Sequence, residues 1–109
     1  MRVFCLLVIF TSHLWSAITA EQRDFFESKI RPILAQDCYE CHSAAGKKKG
    51  GLLLDSRAGW QSGGETGPVI VPGDASKSLL MQAIRHEHED VKMPKAGAKL
   101  TDASIADFE

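Results

Sequence analysis

The chain has 109 residues, thirteen basic and fourteen acidic side chains, and a formal charge of −1 at pH 7. That length suits one small domain. The near balance of charge argues against a nucleic-acid binder, which is normally strongly basic.

Residues 1–20 read as a secretory leader, with Met1-Arg2 as a short positive start and Val3 to Phe10 as an apolar run. Ala17-Ile18-Thr19-Ala20 then places small residues before Glu21, where cleavage is expected. An uncleaved anchor is disfavoured because the run is short, and a lipoprotein signal because Cys5 comes too early. No later stretch is long and apolar enough to span a bilayer. Cleavage leaves Cys38 and Cys41 as the only cysteines, and twelve basic against fourteen acidic residues, a charge of −2. The expected domain is 21–109, exported to the periplasm or cell envelope. A chain this small has a thin core and needs a staple.

The apolar spacing of Phe26, Ile30, Ile33 and Leu34 predicts a helix over 24–35, which Pro32 should bend or end. The chain then reaches Cys38-Tyr39-Glu40-Cys41-His42. Two cysteines separated by two residues and followed by histidine form the attachment signal for c-type haem. Each thiol adds to one vinyl group, and the adjacent imidazole lies where it can bind iron. A Cys-x-x-Cys redox motif would want a preceding strand and a βαβ unit, and here a helix precedes it. A zinc site from Cys38, Cys41, His86 and His88 is the other alternative; it leaves His42 unexplained. A simple disulfide between the two thiols also suits an exported chain.

Residues 46–51, with Lys47, Lys48 and Lys49, read as a loop. Asp55-Ser56 should cap one or two helical turns over 57–61, stopped by Gly63-Gly64. Gly63 to Gly67 has no Gly-Lys-Ser/Thr ending and is read as a turn, not a phosphate loop. Two prolines and two glycines keep 67–73 irregular. Asp74 should cap a helix over 75–85 with Leu79, Leu80, Ala83 and Ile84 as its apolar stripe. His86 to Asp90 is a polar exit, Met93-Pro94 lies in a loop, and Thr101 caps a last helix. Ile105 and Phe108 share its face, and the chain stops inside it at Glu109.

If His42 is one axial ligand, the second candidates are Met81, His86, His88 and Met93. Met93 is best placed, in a loop between two helices and next to a rigid proline. Met81 is read as core packing. The two histidines sit in a charged, solvated stretch, although a bis-histidine haem would use one of them. Trp60 is read as packing, with haem contact as an option. The lysines at 47–49 are most simply a solvated loop; with Lys92, Lys95 and Lys99 they would also steer an acidic redox partner.

These segments together resemble the planctomycete-type cytochrome c domain. The resemblance rests on Phe26 to Leu34 leading into Cys38–His42, Lys49 to Ser56, Val71-Pro72-Gly73-Asp74, Ser78-Leu79-Leu80, Met93-Pro94 and Leu100-Thr101-Asp102. It implies an all-α, cytochrome c-like fold with long loops around one covalent haem c. It implies attachment at Cys38 and Cys41, His42 as proximal iron ligand and Met93 as distal iron ligand. It also implies a domain that opens a longer chain, so downstream domains or a redox partner protein would be its partners. The expected activity is one-electron transfer, with no catalytic residue of its own. The alternatives are a haem enzyme or gas sensor with an open sixth position, and a structural zinc or disulfide module.

Overall fold

The computed structural model describes residues 17–109. Most of the leader expected at 1–20, including Cys5, lies outside them. Helix α1 (Ala20–Phe25) starts earlier than the apolar spacing predicts, because Thr19 and Gln22 form a capping box. The Thr19 hydroxyl accepts the Gln22 N–H at 3.1 Å, and Gln22 accepts the Thr19 N–H at 2.9 Å.

Pro32 does not end this helix. The chain runs from α1 through a π turn (Phe26–Ile30) directly into α2 (Arg31–Asp37). Pro32 falls in the first turn of α2, where a missing N–H costs least. The wider turn before it lets the Arg31 N–H reach back five residues to the Phe26 carbonyl. The proline therefore changes the helical register. Ile30 and Leu34 stay buried, but Phe26 leaves their stripe and is 37% exposed. The Arg31 guanidinium, 5.3 Å from its ring centroid, covers it.

Helix α3 (Arg57–Ser62) forms where expected, with the Ser56 hydroxyl accepting the Gly59 N–H at 3.0 Å. Asp55 does not share in that cap. Its carboxylate accepts the Ala44 N–H at 3.0 Å, tying α3 back to the loop after the cysteine motif. Gly64 and Gly67 close a two-way backbone turn, so the glycine cluster is the turn the sequence predicts.

The helix expected over 75–85 is broken. A 3-10 turn (Ala75–Lys77), capped by Asp74, is followed by extended Ser78 and then α4 (Leu79–Ile84). The buried Ser78 hydroxyl explains the break: it accepts the Val71 N–H at 2.9 Å and lies within hydrogen-bond reach of the Val71 and Asp74 carbonyls. Holding the 71–74 loop is worth more here than a continuous helix, since unpaired buried backbone groups are costly. Helix α5 (Asp102–Phe108) is capped by Thr101 and packs on the π turn and on α4. The Arg85 guanidinium bonds the Glu109 carboxylate across that contact.

Helices and turns are the only repetitive structure among the described residues; the rest is loops and isolated bridges. The architecture is compatible with the all-α expectation. Nine apolar residues are buried among those described, a thin core, and it is split. One cluster joins Ile30, Leu34, Leu52, Leu54 and Val69. The other joins Met81, Ile84 and Ile105, with Met93 and Leu100 packed on it. Leu80 and Phe108 touch both.

Candidate functional site

Between the two clusters lies a cavity of about 490 Å³. Cys38, Cys41, His42 and Met93 all line it. Its walls are otherwise mostly apolar: Leu52, Leu54 and Val69 from one cluster, Leu79, Leu80, Ala83 and Ile84 from the other side. That size and character suit a ligand of drug-like dimensions or larger.

The end of α2 presents the cysteines. Both the Cys38 and Tyr39 N–H groups bond the Leu34 carbonyl, and the Cys41 and His42 N–H groups bond the Cys38 carbonyl. The motif is thus a tight turn continuing from the helix. Around it, Ser43 N–H meets the Lys47 carbonyl, Lys47 N–H meets Glu40, and Lys49 N–H meets Cys41. Gly46 closes the loop: a Cβ there would stand 2.6 Å from the Glu40 and Tyr39 carbonyl oxygens. Only glycine permits that approach.

The His42 ring Nδ1 faces the Leu52 carbonyl at 3.4 Å. A carbonyl only accepts, so this contact puts the proton on Nδ1 and leaves Nε2 with a free lone pair. That is the arrangement by which proteins orient a metal-binding imidazole. Burial pushes the Cys38 thiol up to about 11, and neighbouring Asp37 adds to the shift.

On the opposite wall, Met93 is half-buried. Its N–H donates to the Ala83 carbonyl at 3.0 Å, and its carbonyl accepts from His86 Nε2 at 3.1 Å. His88 is occupied elsewhere: its Nδ1 accepts the Asp90 and Val91 N–H groups. Neither histidine lines the cavity. Met81 is 2% exposed within the second cluster, as packing requires. Trp60 packs on the first cluster and is not among the cavity's lining residues. No group of three or more potential metal-binding His, Cys, Asp or Glu side chains occurs among the described residues, so the zinc arrangement of Cys38, Cys41, His86 and His88 is not assembled. The absence of strands among them removes the βαβ context of a thioredoxin-like motif.

The model of one family, Planctomycete cytochrome C, matches residues 38–97, more than half of the chain. The chain belongs to the planctomycete cytochrome c family. Membership implies haem c, and Cys38 and Cys41 lie close together as its attachment motif requires. The match opens on Cys38 and includes Met93, so it spans both walls of the cavity. No curated protein and no solved structure gives a significant match.

The donor set agrees with that cofactor. Two thiols one turn apart, an imidazole with a free Nε2 and a thioether share one apolar cavity. Sequence reasoning named these four residues. It missed the lining by Leu79, Leu80 and Ala83, and the contact of His86 with Met93. A stripe of aliphatic residues reads equally well as ordinary core, and a histidine among acidic residues reads as solvated.

Proposed function

We propose that this chain is an exported cytochrome c domain that binds one haem c and passes single electrons to a protein partner or to further domains of a longer chain. The observation that carries the reading is the convergence of Cys38, Cys41, His42 and Met93 on one apolar cavity. Cys38 and Cys41 would hold the haem covalently, each thiol S–H adding across one vinyl group to give a thioether. His42, through Nε2, would hold the iron as proximal ligand, and the Met93 sulfur would hold it as distal ligand. The bound group supplies a one-electron iron couple, whose potential methionine–histidine ligation raises.

The chain does the rest. The aliphatic walls exclude water from the site and keep its dielectric low. The Leu52 carbonyl orients the proximal ring. If His42 and Met93 both held the iron, no position would be left for a substrate, and that would favour electron transfer over catalysis. Export is supported by the leader reading and by the attachment chemistry. No described helix is long and apolar enough to cross a membrane. The exposed charges beside the cavity are mixed, Lys49 and Lys95 with Asp37, Glu40 and Glu65, so a protein partner docking there would have to match both signs.

Expression in an exporting host with haem-attachment machinery tests this. The protein should remain red after acid–acetone extraction, and its mass should exceed the polypeptide by one haem. Cys38→Ala with Cys41→Ala should release the colour. The oxidised protein should show a sulfur-to-iron charge-transfer band that Met93→Ala abolishes, with carbon monoxide then binding readily to the reduced form. A colourless protein holding one zinc would refute the haem reading. Rapid carbon monoxide binding by the unaltered protein would replace electron carriage with a sensor or enzyme that keeps an open sixth position.

A further inference from the structure

Helix α4 ends in an unusual way. Arg85 closes it, the His86 N–H bonds the Ala83 carbonyl, and the Glu87 N–H bonds the Gln82 carbonyl. This paired pattern is a Schellman ending, whose left-handed position is normally glycine. Here the residue is His86, at φ 57°, the sole non-glycine residue with positive φ among those described. A β-carbon is disfavoured in that conformation, so the side chain must return something that glycine would not. It does so by placing Nε2 3.1 Å from the Met93 carbonyl oxygen.

The same helix end also holds the other side of Met93. The Ala83 carbonyl accepts both the His86 and the Met93 N–H groups, at 3.2 and 3.0 Å. Met93 is therefore gripped at its N–H and at its C=O by residues three apart on one helix terminus. Its flanks offer little else: Lys92 and 95–99 are exposed. The Ala83 bond alone ties the Met93 backbone at one point, with packing on the Met81, Ile84 and Ile105 cluster as its other restraint. The second bond, from His86, fixes the orientation of the residue and hence the direction in which its thioether leaves the backbone.

We propose that His86 is a positioning residue for the distal ligand, a clamp that holds Met93 against displacement while staying off the iron itself. The inference rests on the reading of Met93 as that ligand. It predicts that loss of the Nε2 donor weakens the competition of Met93 against an added ligand. One backbone hydrogen bond corresponds to roughly a tenfold change in that competition.

Imidazole titration of the oxidised holoprotein, followed by the sulfur-to-iron band, is the test. His86→Ala and His86→Gly should each lose the band at about tenfold lower imidazole. Glycine is the informative variant, since it relieves the positive φ and removes only the donor. His86→Gln, whose Nε2 can donate at a similar reach, should restore resistance to imidazole to near that of the unaltered protein. The clamp is overturned if His86→Gly resists imidazole as well as the unaltered protein does, or if His86→Gln behaves like His86→Ala. Failure of the underlying assignment is seen separately: Met93→Ala would then keep the band, or the unaltered protein would lack it.

Discussion

The two walls of the cavity are held in opposite ways. The wall carrying Cys38, Cys41 and His42 is secured by short-range backbone bonds, nearly all within residues 34–54. The wall carrying Met93 is held by a helix end, one histidine and the small cluster of Met81, Ile84 and Ile105. Local bonds close small loops at little entropic cost. The cysteine wall can thus be shaped before the rest of the chain folds, as the proposed covalent attachment there would require. The methionine wall depends on contacts among α4, α5 and the loop between them, so its geometry follows the packing of the whole domain.

Removing Met81 should break this contrast most strongly. It is 2% exposed and central to the cluster on which Met93 sits. Met81→Ala should cost about 2–5 kcal/mol through the cavity it leaves, lowering the thermal midpoint. Because the lost volume lies under the Met93 loop, the sulfur-to-iron band should weaken while covalent haem content stays the same. A loss of haem attachment in a still-folded protein would show that the two walls are not separate.

This division also explains what could be read in the sequence. The thiols, the proximal imidazole, the Ser56 and Thr101 caps and the glycine turn are local patterns whose meaning lies within five residues. The π turn was not legible, because a proline inside an apolar helical pattern normally signals an end, and only burial of Ile30 and Leu34 together decides for a register change. The break at Ser78 was hidden too. Asp74 announces a helix start correctly, but the competing demand comes from Val71, whose backbone needs the hydroxyl. The grip of His86 on Met93 spans seven residues and depends on a left-handed backbone that nothing in the sequence around His86 announces.

Gly46→Ala probes the other wall and should have a somewhat smaller effect. The added Cβ would meet two backbone carbonyls at 2.6 Å, those of Tyr39 and Glu40 inside the attachment motif. Neither can move without shifting the cysteines. Overpacking of this kind costs about 1–3 kcal/mol. The expected signature is a lower yield of covalently attached haem, measured as the ratio of haem to protein, with the sulfur-to-iron band of the attached fraction unchanged. An altered band with full attachment would reverse the roles assigned to the two walls.

The smallest effect at neutral pH concerns Cys38, and it sharpens the comparison by exposing the haem-free state of the cysteine wall. Burial and Asp37 hold the thiol up near 11, so the folded haem-free chain favours the protonated form. A group whose acid form is favoured adds stability that is complete below its unfolded value, near 9. That contribution is lost as pH rises from there toward 11. The Cys38 contribution to haem-free stability should therefore be constant around neutrality and fall above about pH 9, a loss that Cys38→Ala should not show. The thiolate is the reacting species, so alkylation of Cys38 at about pH 8 should be slowed, by up to about a hundredfold for a shift of roughly two units relative to an unburied thiol. Mass mapping of the alkylated peptide checks this directly, with denaturant restoring the ordinary rate. Equal rates with and without denaturant would mean that the thiol is open to solvent before the cofactor arrives, and that the local bonds around the motif do not close this wall in advance.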